Sequence, residues 1–556
     1  MKKVAVIESI NGIESDLESQ VITPDNQVYG STEELNLIDK NDGYAVPRRQ
    51  LYYIAFCLDI AAFLAALDAT VVSTLLTVIA SDFGSLGSMS WLATSYLLSC
   101  SALQPIYGKL SDIFGRKILL IGCCIFFALG CGICTINSIN VVIFGRFITG
   151  IGGSGLTCLS TITLSDLVPP RDRGVYQGYL NIFFGLGTAT GGMFGGVISD
   201  YLGWKYAFGL QIPIAIFVGI AIYFNLNLPE GSPGLGVRGH IRHKLSKIDF
   251  LGSFLLVSSL LIILTVASLA GNTLKLTSKT FAFLCILALV LFSCFIHVEK
   301  NTSQPIIPID LMRIRTVSAS ALTNWFYTMG VFTYLFYVPV YYNSVMSFSG
   351  TKIGTRLIPN FFVTSIGSVG AGYYMKRTGG YRRLVYFAAF LAISGMLNIL
   401  TITPDISIPR QFLLIVPAGF SYSIILTTTL LALISAVPSK FQAGITSISY
   451  TFRATGSTLG VSMASAIFHQ VLQSALNREI PSLVNDKALA KEVIEKALES
   501  TDYVNEAPEF IKTTLRECYD CACKGALSYA LVCILLGVTS SLFMKENSLS
   551  KSINRQ

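Results

Sequence analysis

Apolar stretches of about twenty residues recur along nearly the whole chain, each long enough to cross the roughly 30 Å hydrocarbon core of a bilayer as a helix. Fourteen are read, at 52–79, 91–107, 118–136, 141–166, 175–199, 205–226, 249–270, 280–298, 316–341, 353–375, 384–403, 411–436, 445–472 and 524–544. The fold class this pattern predicts is an all-α polytopic membrane protein, because a helix satisfies its own backbone inside lipid.

Composition agrees. Of 556 residues, 52% are hydrophobic and 13% charged, and the mean hydropathy is +0.61. A soluble chain of this length needs more charge to cover its surface. The net charge of +8 reflects loops rather than a nucleic-acid surface. Arg48 and Arg49 precede the first span, Lys109, Arg116 and Lys117 follow the second, and Arg171 and Arg173 the fourth. Arg238, Arg242, Lys244 and Lys247 follow the sixth, Lys300, Arg313 and Arg315 the eighth, and Lys376, Arg377, Arg382 and Arg383 the tenth. The loops after the first and third spans carry no base. This bias predicts a cytosolic N-terminus, and an even number of spans returns the C-terminus to the same side. The sequon at Asn301-Thr-Ser then falls in the cytosol and should stay bare. Most of the 13 cysteines lie in apolar runs, where cysteine is a small hydrophobe.

The organisation follows. Residues 1–50 read as a disordered cytosolic tail without the pattern of a cleavable signal. Residues 51–228 form an N-terminal six-helix half, 229–300 a cytosolic linker plus two inserted spans, 301–545 a C-terminal six-helix half, and 546–556 a cytosolic tail. Within the tail, Glu33, Leu37 and Ile38 resemble an acidic dileucine signal of the kind a sorting adaptor reads on the way to a vacuole or lysosome. The long segment 473–523 is placed on the non-cytosolic side, and its helical patterning around Asp486–Ser500 predicts an amphipathic cap. Cys518, Cys521 and Cys523 at its end lack a nearby histidine or fourth cysteine, so no metal site is assigned and a disulfide stays open. No G-x-x-x-x-G-K-[ST] loop occurs and none of the four histidines has zinc-type spacing, so no enzyme, ATP-driven pump or cofactor is expected.

A charge-dense stretch between two spans is Gly108-Lys-Leu-Ser-Asp112-Ile-Phe-Gly115-Arg116-Lys117, read as a glycine-bounded loop. The loop after the tenth span repeats its glycine spacing, Gly372 matching Gly108 and Gly379 matching Gly115, with Lys376 where Asp112 stands. The first six and last six spans therefore read as two copies of one unit.

These residues resemble the signature loop of major facilitator transporters. Arg146-Phe-Ile-Thr-Gly150-Ile-Gly152-Gly153 resembles that superfamily's fourth-span motif, and Leu67-Asp68-Ala-Thr70-Val71-Val72 the first-span motif of its fourteen-span drug:proton antiporter branch. Gly187-Thr-Ala-Thr-Gly191-Gly192-Met-Phe-Gly195-Gly196 resembles the antiporter motif of the fifth span, with Gly192 where a proline is usual. The chain looks most like fungal vacuolar basic amino acid transporters. The resemblance implies a major facilitator fold, with two six-helix halves around a midplane site. It also implies a cytoplasmic gate of Gly108, Asp112, Gly115 and Arg116, with Asp166 as the partner of Arg116.

Ionisable groups well inside a span cost roughly 2.5–3.5 kcal/mol on insertion and are functional candidates by default. Asp68 and Arg146 are the first proton- or substrate-coupling candidates, the alternative being a buried structural pair. Asp59, nine residues before Asp68 and on the opposite helix face, is either an extra proton site or a snorkelling interfacial residue. Asn324, Trp325, Asn360 and Arg453 are candidate substrate contacts, though each asparagine taken singly reads first as a helix-to-helix hydrogen bond. Gly187, Gly191 and Gly195 form a stripe suited to close helix packing. The function expected is proton-coupled antiport of basic amino acids into the vacuole, with a cationic amino acid and protons as ligands. The alternatives are plasma-membrane export of drugs or siderophores, or a non-transporting nutrient receptor.

Overall fold

The computed structural model describes residues 46–83, 89–228, 232–237, 239–269, 278–302, 305–307, 309–483, 487–499 and 503–547. Glu33, Leu37 and Ile38 lie outside them. The main helices are α1 (Arg48–Asp82), α2 (Met89–Phe114), α3 (Arg116–Cys134), α4 (Ile139–Leu167), α5 (Arg173–Leu202), α6 (Gln211–Asn225) and α7 (Phe250–Leu269). They continue with α8 (Lys279–Asn301), α9 (Arg315–Ser344), α10 (Gly350–Thr378), α11 (Arg382–Leu400), α12 (Val416–Ser435), α13 (Gln442–Leu483) and α14 (Glu509–Leu542). No strand occurs among the described residues.

Each expected span falls on one of these helices. Ten are long and apolar enough to cross a membrane; α2, α9, α10 and α13 are the more polar ones. Their hydroxyls are largely satisfied within the helix. Thr323 donates to Ala319 O at 2.7 Å, Thr446 to Gln442 O at 2.7 Å and Thr451 to Ser447 O at 2.9 Å. Bonds of this kind to the preceding turn let a polar helix be buried without orphaned groups.

Two expected boundaries move. The stretch Gly108–Phe114 is the end of α2 rather than loop, and the helix breaks only at Gly115, whose φ of 97° a side chain would resist. The segment 473–523 is mostly helical. The 42 residues of α13 measure about 63 Å, more than a bilayer core, so the helix projects beyond it to Leu483. The expected cap helix is present at Lys487–Glu499, and Cys518, Cys521 and Cys523 lie on α14, all unpaired.

Helices α1–α6 and α9–α14 each enclose an apolar core. The first holds Leu64, Phe127, Leu159 and Phe208; the second holds Tyr334, Met375, Met396 and Tyr519. In lipid, shape complementarity rather than water exclusion joins helices. Small residues accordingly mark the tightest crossings, as on α5, where Gly187 and Gly191 sit against the α1 backbone at Phe63 and Leu67. The inserted pair α7–α8 joins the bundle through Leu256, Leu260 and Phe295, packed with Ala102 of α2 and Ile306. The outer face of α8, with Phe283, Ile286 and Leu289 all more than 60% exposed, suits acyl chains.

Candidate functional site

The two halves meet along α5–α10 and α2–α13, and the end nearest the signature turn is sealed. A Cβ on Gly174 of α5 would lie 3.0 Å from Gly372 Cα, and one on Gly108 of α2 2.6 Å from Ala443 O of α13. Arg173 donates to Gln442 Oε1 at 3.1 Å, Asn181 to Ser368 Oγ at 2.7 Å, and the Thr161 and Tyr450 hydroxyls are 2.6 Å apart. Further from this end, Gly185 still meets Phe361. On the same helical faces, eleven residues past Gly185 and seven before Phe361, Gly196 and Gly354 meet open space. The halves are closed at the signature end and part towards the other.

The signature turn is held inside the first half. Arg116, with its side chain 1% exposed, donates Nη1 to Asp112 Oδ1 at 2.7 Å and to Ser111 Oγ at 2.5 Å, and Nε to Asp166 Oδ2 at 3.0 Å. Asp112 and Arg116 are one turn apart, an i,i+4 pair closing the last turn of α2 over Gly115. The linker after α6 passes beneath, Val237 N donating to Ile113 O at 2.9 Å. In the repeat copy Gly379 also has positive φ, at 74°. There Lys376 reaches Asp172 of the first half at 3.0 Å.

Deeper in the first half, Arg146 Nη1 donates to Asp68 Oδ2 at 2.6 Å, and the two side chains are 1% and 0% exposed. The guanidinium also stacks on Tyr96 at 4.4 Å, and its Nε points at Leu92 O at 3.4 Å. Asp68 Oδ1 has no hydrogen-bond partner. Asp59 is 6% exposed and its Oδ1 is likewise unpartnered, so it does not snorkel to the interface. Its burial follows from its place on α1, on the face that leads to Phe63 and Gly187.

In the second half, Asn324 is buried and fully engaged. It donates to Ser449 Oγ at 3.0 Å, while its Oδ1 accepts from Thr429 at 2.9 Å and from Arg453 Nε at 3.2 Å. That is helix-to-helix bonding, the alternative weighed from the sequence. Trp325 is half-buried, edge-on to Phe452. Asn360 Oδ1 is buried without a hydrogen bond, against Gly419. Arg453 is half-buried over the Tyr450 ring and donates to Leu426 O at 2.8 Å, with no acid within ion-pair distance among the described residues.

The structure adds residues the motifs did not single out. Gln177 donates to Asn181 Oδ1 at 3.0 Å and Asn181 to Ser368, whose hydroxyl is 2.8 Å from Thr427. This polar chain crosses from α5 to α12 through α10. Gln177 and Asn181, four apart inside an apolar run, were a usable signal.

Comparisons with known proteins bear on the fold and the family. The family model described as Major Facilitator Superfamily matches residues 58–461. The multidrug resistance protein fnx1 of Schizosaccharomyces pombe is 32% identical, over 89% of this chain and 93% of its own. The vacuolar basic amino acid transporter 2 of Saccharomyces cerevisiae is 30% identical, over 84% of this chain and 99% of its own. Among solved structures, the proton:xylose symporter XylE superposes with a TM-score of 0.56 at 14% identity, covering 89% of this chain and 95% of that one.

Proposed function

We propose that this chain, which belongs to the Major Facilitator Superfamily, is a proton-coupled antiporter carrying basic amino acids from the cytosol into the vacuole. The fold and relatives make it a membrane transporter and not an enzyme. The observation carrying the substrate class is a pair of unmatched charges within the helices. Asp59 is buried with no hydrogen bond to its Oδ1, and Arg453 has no acid within ion-pair distance among the described residues. A basic amino acid brings a carboxylate and two cationic groups, so it complements both. Counted by helix rise from the Asp68–Arg146 pair, Asp59 lies about 13 Å towards the signature turn, and Arg453 lies on α13 three residues past Tyr450, whose hydroxyl meets Thr161 of α4. The similarity to the vacuolar basic amino acid transporter 2 supports the same class.

Alternating access follows from the two ends. With the signature end closed, the site faces the other side, which this reading makes the acidic lumen. There a proton taken up by an acid of the site weakens its hold on the cationic substrate, and release and proton entry become one exchange. Each pH unit across the membrane supplies about 1.4 kcal/mol per proton. The test is uptake of lysine, arginine and histidine into energised vacuolar vesicles with and without the protein; no difference for any of them rejects the reading. Export of drugs across the plasma membrane is the second reading, favoured by the similarity to fnx1. Imaging a tagged protein, with and without the Glu33, Leu37 and Ile38 signal, separates the two.

A further inference from the structure

The two inserted helices carry a carboxyl pair that neither transport chemistry nor gating has used. Asp249 immediately precedes α7, and Glu299 lies in the last turn of α8, 3% exposed. Asp249 Oδ1 accepts from Gly252 N at 2.8 Å, and Glu299 Oε1 from Ile307 N at 2.5 Å. Their other oxygens, Asp249 Oδ2 and Glu299 Oε2, are both buried without a hydrogen-bond partner. Both lie within 3.0 Å of the point a Cβ on Gly252 would occupy, so they face each other across the space this glycine leaves empty. A side chain at position 252 would displace the pair.

Two buried carboxyl oxygens facing each other with no donor between them repel when both are ionised and attract when they share a proton. We propose that Asp249 and Glu299 together bind one proton taken from the signature-turn side, forming a second protonation site apart from the translocation path. Losing it forces the two carboxylates apart. The strand of chain they hold is placed to feel this. Ile307, fixed through its N–H to Glu299, packs with the apolar groups around Val317 and Ile445, and Ile306 packs on Ala102 of α2. Those are the helices whose ends form the seal at Gly108 and Ala443. The charge facing the pair from a neighbouring helix is Lys109 on α2, which in turn lies near Asp112, Lys247 and Lys440. The device therefore reports pH on that side to the gate.

Cys158 supplies a reporter that needs no substrate. It is fully buried at the seam, 3.3 Å from Ser447 Oγ of the other half. Its labelling by an impermeant maleimide, followed on its own peptide by mass spectrometry, reads opening of the seal in the full-length protein in nanodiscs. Thiolate formation raises labelling with pH alike in every variant, so the ratio of wild type to variant is the quantity to follow. From about pH 6 to about pH 9, a range that buried carboxyls reach, the ratio of wild type to Glu299→Gln should rise at least about threefold. The amide keeps the pair bonded at every pH, which gives this direction. Asp249→Asn should behave the same way, and the double variant should add nothing to either. A flat ratio for both single variants, or additive effects in the double, overturns the proposal.

Discussion

Lys376 Nζ lies 3.0 Å from Asp172 Oδ1 across the seam, at the position where the first copy of the repeat carries Asp112. The two copies of one turn have thus divided the work. Asp112 closes the turn within its own half, and Lys376 ties the second half to the first. The lysine is 46% exposed and the aspartate 12%, so the pair is worth at most about 1 kcal/mol. Asp172→Asn should therefore raise Cys158 labelling no more than about fivefold. Reversing both charges, Lys376→Asp with Asp172→Lys, should return it towards wild type.

The Arg116 cluster is the stronger element, because its guanidinium is 1% exposed and serves Ser111, Asp112 and Asp166 together. Arg116→Ala leaves Asp166, only 9% exposed, without its cation. The loss should be about 3–5 kcal/mol, visible as a lower melting temperature and reduced protein level. Arg116→Lys should not restore it, since one ammonium cannot reproduce a planar fork to three partners. Asp112→Asn keeps Asp166 paired and should slow transport while leaving the ranking of substrates unchanged. A changed ranking in competition assays would move Asp112 from the gate into the site.

Much of this was legible beforehand, and the remainder had physical reasons not to be. Period and span length located the helices, and glycine spacing located both copies of the turn, since Gly115 and Gly379 need positive φ. The Arg116–Asp166 pair came from family resemblance and stands at 3.0 Å. What one sequence could not rank was partnership. Asp59 and Asp68 are both acids inside one helix, yet only Asp68 meets an arginine. Asn324 and Asn360 read alike, yet one is fully bonded and the other has an idle oxygen. Such distinctions depend on which neighbouring helix faces each residue, and that is a property of tertiary packing. The end of α2 was misread for a similar reason. Charge density suggests a loop, whereas the chain stays helical to Phe114, breaks only at Gly115, and the Asp112–Arg116 pair bridges that break.

The glycines of α5 give a contrast inside one motif. A Cβ on Gly191 would press on Thr70 and on Leu67 O, 2.6 Å away, whereas one on Gly196 meets nothing within 4 Å. Gly191→Val should cost at least about 1–3 kcal/mol through overpacking, read as lost thermal stability in detergent. Gly196→Ala should melt within about 0.5 kcal/mol of wild type. Equal tolerance at both positions would show that α1 and α5 can separate without loss.

Asp68 and Arg146 set the most demanding case. Their 2.6 Å pair has 1% and 0% exposure, so neither substrate nor water reaches it in this conformation. Removing one partner leaves the other charge buried and uncompensated, which costs about 3–5 kcal/mol. Asp68→Asn should therefore melt lower than wild type, and Asp68→Asn combined with Arg146→Gln should recover part of the loss. If Asp68 also carries the coupling proton, neither variant will concentrate substrate on a pH gradient. The recovered double variant should still exchange labelled for unlabelled substrate in counterflow, where no net proton movement is needed. Gradient-driven uptake at the wild-type rate by Asp68→Asn would assign the pair a purely structural role and leave Asp59 as the coupling acid.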